Sequence, residues 1–274
     1  MEDEVLKHMH ELHLILADEL KRICDKYNIT YFMIAGTLLG AVRHQGFIPW
    51  DDDMDFGMQR SEFQRFVVAC TKELNEEKFY LQTDKNDKLY PFNFAKLRLK
   101  HTKVVEEFSS HVNTNQGIYI DIFPIDAVSD RKYNANLQLK QFWFYRNLLL
   151  IKLGYGTEHK KKKLNYKVGK LISKIYSIDS LKEKKDKVIR RCEGKETKFV
   201  VTSDGNYGLN KETLKSEWIK NICDYKFENK IYPGIKNNDE YLTYFYGNYM
   251  KLPETDNRNH HKRLDVEFGP YECR

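Results

Sequence analysis

The sequence predicts an α+β fold, a mixed β-sheet flanked by helices and interrupted by a helical insertion. Three observations predict it. Apolar residues from Val5 to Tyr27 recur at three- and four-residue steps, the stripe of an amphipathic helix. Short runs with two-residue alternation recur at Lys78–Gln82, Phe92–Lys100, Ile118–Phe123 and Lys198–Thr202. Between the third and fourth of these runs lie two helical-looking stretches, 134–153 and 160–191, parted by Gly154-Tyr155-Gly156.

The opening helix, residues 3–27, places Val5, Met9, Leu12, Leu16, Leu20, Ile23 and Tyr27 on its packed side. His8, His10 and His13 have no converging partner in sequence and read as solvated surface. From Thr30 an apolar run breaks at Gly36-Thr37 and passes through a short helix to Gly46. Backbone N–H groups where a helix opens after a strand can face an anion, which marks Gly36 and Thr37 as phosphate-binding candidates.

Pro49-Trp50 then leads into Asp51-Asp52-Asp53-Met54-Asp55, with Phe56 and Met58 continuing a strand-like pattern. On a strand, Asp51, Asp53 and Asp55 share one face, while Asp52 and Met54 take the other. Two carboxylates about 5 Å apart repel by roughly 3 kcal/mol at an effective dielectric near 20. A hard divalent cation, Mg²⁺ with Mn²⁺ as the alternate, is the natural counter-charge.

Ser61 and Gln64 have the spacing of a capping box for a helix reaching about Asn75. In the run 92–100, Phe94, Lys96, Arg98 and Lys100 share a face, with Ala95, Leu97 and Leu99 behind. Lys96 and Arg98 suit the phosphates of a nucleotide, and arginine adds its bidentate fork. Asp121 is an isolated carboxylate in the apolar run 118–123, which Pro124 ends. Asp126 reads as a weaker candidate that caps the next turn.

Residues 134–153 are apolar almost all round, which predicts a buried helix; the alternative is a groove for a lipid-linked acceptor. From Lys160 to Arg191 there are 13 basic and 3 acidic residues, a net of +10 against +6 for the whole chain. Such a run is ordinarily a solvated face, and it also fits an anionic membrane surface. A Gly-rich loop follows at 204–208, a hairpin at 224–232 around Glu228-Asn229-Lys230, and a helix capped by Asn238 or Asp239. The tail is polar, and His260 and His261 lie in it.

With 274 residues, 41% apolar and 14% aromatic, the chain is long enough for a large core. Five cysteines without a CxxC pattern argue for a reducing compartment and against zinc. The acidic, charge-interrupted start is unlike a secretory signal, and no uncharged stretch nears the roughly 20 residues of a membrane span. No Walker lysine follows Gly36–Gly40, and no helix-turn-helix, RRM, KH or zinc module points to nucleic acid.

The segments Ala35–His44 and Pro49–Asp55 together resemble the LicD family of phosphocholine and related phosphoryl-alcohol transferases, to which fukutin-related proteins also belong. Phe94–Arg98, Gly117–Asp126 and Tyr246–Pro253 agree with the same resemblance. It implies a nucleotidyltransferase-like sheet core at 1–128, a helical insertion at 129–193 and a return to the core at 194–274, one LicD-type domain overall. It also implies a Mg²⁺ site of Asp53, Asp55 and Asp121, the same three acids being catalytic. Gly36, Thr37, Arg43, Lys96 and Arg98 are expected to bind phosphate. The implied reaction moves phosphocholine from CDP-choline, with CMP leaving, to a hydroxyl of a cell-surface glycan such as lipopolysaccharide or teichoic acid, or of its lipid-linked precursor. Ribitol or glycerol phosphate from a CDP donor, nucleotidyl transfer from an NTP, and an inactive membrane-surface module are the other readings. The expected location is cytoplasmic, at the inner face of the membrane through Lys160–Arg191.

Overall fold

The computed structural model describes residues 2–156, 164–205, 208, 211–254 and 263–272. Helix α1, Glu2–Tyr27, buries Leu12, Leu16, Leu20 and Ile23 against the sheet. Strand β1 (Phe32–Met33), helix α2 (Ala35–His44) and strand β2 (Asp55–Gln59) carry the acidic motif. Helix α3 (Arg60–Glu73) and strands β3 (Phe79–Gln82), β4 (Ala95–Leu99), β5 (Lys103–Glu106) and β6 (Tyr119–Val128) follow. Helices α4 (Lys132–Leu153), α5 (Leu164–Ser173) and α6 (Ile178–Ile189) come next. The chain then returns through β7 (Phe199–Thr202), β8 (Thr213–Lys215), α7 (Ser216–Lys220), β9 (Ile222–Phe227), β10 (Lys230–Ile235), α8 (Asn238–Tyr246) and β11 (Arg263–Glu267).

Among the described residues nine strands form one mixed sheet in the order β3-β4-β6-β2-β1-β10-β9, with β7 joining β6 and β8 joining β7. The β2–β6 and β1–β10 pairs are parallel, and the other pairs in this sheet are antiparallel. The α+β expectation therefore holds. Ala95, Leu97, Leu99, Ile120, Ile122, Phe56 and Met58 fill the core, and α1 and α3 pack on these strands.

Five local expectations need correction. Pro124 does not end its strand: β6 runs through it to Val128. Asp121 donates its N–H to Met54 O on the β2 side, so alternation turns Pro124 to the opposite edge. On that edge β4 pairs only as far as Ile122 and β7 begins at Ile125, so no ladder needs the N–H that proline lacks. Helix α3 starts at Arg60 without the Ser61 capping box; no side chain caps it. Instead Glu62 accepts the Thr30 N–H at 2.9 Å, joining the helix to the chain before β1.

The histidines of α1 are not a solvated row. His13 is 1% exposed, and burial pushes its imidazole down to about 3. His10 stacks on Phe47 at 3.9 Å and donates to Asp51 O at 2.7 Å. The basic run is not one solvated face either. Lys182 and Lys185 on α6 point inward: Lys182 Nζ donates to Asp84 O at 2.7 Å and Asp87 O at 2.8 Å, and Lys185 Nζ donates to Pro91 O. Helix α4 begins at Lys132 and is buried along one side only, with Phe144 exposed. His260, His261 and Lys160–Lys163 lie outside the described residues.

Candidate active site

Register brings the chemistry together. Gln82 pairs with Lys96, Lys96 with Asp121, and Asp121 with Asp55, so four strands present these side chains in a row on one face. Lys96 Nζ stands 2.9 Å from Asp121 Oδ1 and 3.2 Å from Oδ2. It also lies 3.1 Å from the centre of the Tyr119 ring. Burial pushes the Asp121 carboxyl above the usual carboxylate range, and Lys96 pulls it back. Arg98 donates to Gln82 Oε1 and to Gly117 O, each at 2.6 Å, so at least two of its five N–H donors are committed to the protein.

The acidic motif is only partly a strand. Asp51, Asp52 and Asp53 precede β2 as irregular backbone, and Asp55 is its first residue. The alternation survives nonetheless: Asp51, Asp53 and Asp55 are half-buried, while Asp52 and Met54 are buried. Asp52 meets Arg263 of β11, with Nε 3.3 Å from Oδ2. His10 and Arg263 thus brace the acidic segment from behind. Thr37 is buried, and its Oγ accepts the Asp55 N–H at 2.7 Å, which pins the strand where the acids sit. A Cβ on Gly36 would stand 2.6 Å from Asp51 Oδ2, so only glycine leaves this carboxylate its place. Ala35 takes φ +46°, a conformation unusual for an L side chain, and its N–H donates to Tyr241 Oη at 3.0 Å.

Two adjoining cavities share the acids. One, of about 360 Å³, is lined by Asp53, Asp55, Lys96, Arg98 and Asp121 together with an aromatic wall. In that wall Phe94 lies 5.0 Å from Phe92 and 4.5 Å from Phe123, and Tyr155 lies 5.9 Å from Phe92, centre to centre. Glu106, which accepts from the Tyr119 hydroxyl, and Glu107 also line it. The other, of about 710 Å³, is lined by Gly36, Arg43, Asp51, Asp53, Asp55 and residues of α8. Arg43 belongs to this second cavity, apart from Lys96 and Arg98, and its Nη1 donates to Tyr249 O at 2.6 Å. A larger cleft of about 840 Å³, lined by Leu139, Trp218 and Tyr244, carries none of these acids.

Among the described residues, no three His, Cys, Asp or Glu side chains stand ready as a metal cluster. Asp53 and Asp55 still fit magnesium chemically, because that ion is commonly held by one or two carboxylates with water and substrate phosphates. Asp121, facing the Lys96 ammonium, is charge-balanced by the protein itself.

The aromatic wall, Gln82 and Glu106 escaped the sequence reading, since long-range pairing alone brings them beside Asp121. Arg146 was hidden inside an apolar helix. Its Nε donates to Asp204 Oδ1 at 2.6 Å, and Asp204 Oδ2 accepts the Asn93 N–H at 2.7 Å, which fixes the chain beside Phe92 and Phe94.

A mixed sheet with a carboxylate row beside a Gly-Thr helix start defines the class, and comparison of sequences places it. Residues 28–150 match the family model described as LicD/FKTN/FKRP, nucleotidyltransferase domain. Over 273 residues, 95% of this chain and 97% of the relative, it is 29% identical to the lipopolysaccharide cholinephosphotransferase LicD of Haemophilus influenzae. A 47-residue stretch, 17% of the chain, is 49% identical to an uncharacterized protein of Rickettsia prowazekii, covering 18% of that protein. An uncharacterized protein of Rickettsia typhi matches at the same identity over the same length, covering 15% of it.

Proposed function

We propose that this protein is a phosphotransferase that moves phosphocholine from CDP-choline, with CMP leaving, to a hydroxyl of a cell-surface glycan or its lipid-linked precursor. The observation that carries the reading is the Lys96–Asp121–Asp55 row at the base of a cavity walled by aromatic rings. Similarity along nearly the whole length of a lipopolysaccharide cholinephosphotransferase supports the same reading.

Each group then has a task. Asp53 and Asp55 would hold magnesium; bound there, the ion would neutralise charge on the donor's diphosphate. Asp121, its proton affinity raised by burial, accepts the proton of the attacking hydroxyl. Lys96 and Arg98 hold positive potential beside the transferred phosphoryl group, and Arg98 keeps Gln82 in place. Gly36, in the first turn of α2, faces the second cavity, where Arg43 offers a further cation to a phosphate, while Thr37 holds the Asp55 N–H behind it. Phe92, Phe94 and Phe123 offer ring faces to a quaternary ammonium, with Glu106 and Glu107 adding negative charge. That wall favours choline over uncharged ribitol or glycerol.

The test is a donor screen on purified protein with Mg²⁺ and a lipopolysaccharide acceptor, following CMP, pyrophosphate and acceptor mass. Phosphocholine added to the acceptor with stoichiometric CMP is the expected result. Pyrophosphate from an NTP, or CMP from CDP-ribitol or CDP-glycerol in preference to CDP-choline, overturns it.

A further inference from the structure

Helix α5 has three sides, and packing explains only one. Gly169 and Ile172 face the rest of the protein. A Cβ on Gly169 would stand 2.8 Å from Ile151 of α4, and Ile172 packs with Leu148, Leu149 and Leu181. Lys152 Nζ donates to Ser173 O at 3.0 Å, tying the end of α5 to α4. Leu164, Val168 and Leu171 occupy a second side at four- and three-residue steps and are 73%, 49% and 67% exposed, and Ile175, in the turn that follows α5, is 77% exposed. Lys167 and Lys170 run along the edge of that stripe and Lys174 follows in the turn, all exposed. Between 164 and 175 there is no acidic residue.

Four exposed branched aliphatics within twelve residues are unusual for a surface that meets only water, and packing leaves them no task inside the molecule. Tyr133, Leu137 and Phe144 form a second exposed line on α4, at spacings that share a helix face with Ile151, the residue under Gly169.

We infer that α5 is an interfacial helix that seats the protein on an anionic lipid surface, its leucine–isoleucine stripe entering the acyl boundary and its lysines meeting the head groups. Charge decides between the two occupants an apolar stripe admits. A second copy would bring the same lysines to the contact twice, with no acidic residue between 164 and 175 to pair with them. An anionic bilayer meets the stripe and the lysines together. Since α4 also supplies Arg146 to the aromatic cavity, the seat stands one helix away from the site, whichever group that site transfers. The basic character that the sequence spreads over Lys160–Arg191 thereby divides. Among the described residues, α5 faces outward, whereas Lys182 and Lys185 of α6 hold the chain at residues 84–91.

The experiment is co-sedimentation of the full chain with phosphatidylcholine vesicles made with and without phosphatidylglycerol. The protein is expected to sediment only with the anionic vesicles and to be released by salt. Glutamine at Lys167, Lys170 or Lys174 should lower partition about fivefold per site. Leu171→Glu with Ile175→Glu should abolish binding while thermal unfolding and CDP-choline turnover in solution stay at wild-type values. Failure to sediment with either vesicle overturns the inference. So does equal binding to both, and so does a dimer by light scattering that the double variant dissociates, since a second copy then covers the stripe.

Discussion

Asp121 and Asp126 lie on the same strand, each buried against a cation from another element, yet their surroundings differ in kind. Asp126 is 1% exposed and accepts both prongs of the Arg60 fork, Nε at 2.7 Å and Nη2 at 2.6 Å. Burial pushes its carboxyl up and Arg60 opposes this, but the pair is closed: both oxygens are used and neither residue lines the acid-bearing cavities. Asp121 faces a lysine, a single point of charge shared between two oxygens, at the base of a cavity. The closed fork joins β6 to the start of α3; the open pair can exchange its partner for a substrate's charge.

The largest effect should come from the acids that flank the open pair. Asp55→Ala, or Asp53→Ala, is expected to lower turnover on the order of 10³-fold with the circular dichroism spectrum unchanged. Next comes the closed pair. Asp126→Asn leaves a buried guanidinium without its counter-charge and should cost about 3–5 kcal/mol in denaturant unfolding. Asp121→Asn should cost only about 1 kcal/mol, because Lys96 keeps the Tyr119 ring and an outlet to the cavity. Equal stability losses in the two variants would erase the distinction.

His13 sharpens the contrast from the other side of the sheet. Burial holds its imidazole in the folded chain down to about 3, against the ordinary 6.5 of a histidine. Between those values the unfolded chain binds a proton that the folded chain refuses, so stability falls as pH falls from 6.5 toward 3. Relative to pH 7, this group removes about 2 kcal/mol by pH 5. His13→Leu should flatten that limb in chemical unfolding, and an unchanged limb would mean His13 is not the buried group responsible. The smallest effect belongs to the aromatic wall. Phe123→Leu should raise the KM for CDP-choline roughly fivefold and leave that for CDP-glycerol unchanged.

What the sequence made legible was what local pattern controls. The alternation of Lys96 and Arg98, the lone acid at Asp121, the hairpin at Glu228-Asn229 and the break at Gly36-Thr37 all sit where two-residue and three-to-four-residue periods put them. The pairing of Asp55, Asp121 and Lys96 needed strand order, which no local period encodes. Pro124 misled because the rule against proline within sheets assumes a neighbour at every edge, and here the edge has a gap. Lys182 and Lys185 misled because lysine is ordinarily solvated, whereas these two meet backbone carbonyls of the 84–91 segment. Burial of His13 was invisible because the partner surface comes from Phe47, distant in sequence.

The most direct measurement is CMP release from CDP-choline by wild type, Asp121→Asn and Asp126→Asn, each normalised to its folded fraction. Wild-type turnover per folded molecule in Asp126→Asn, beside a loss of about 100-fold in Asp121→Asn, is the predicted result. Equal turnover in the two variants would contradict it, because the open pair would then do no more than the closed one.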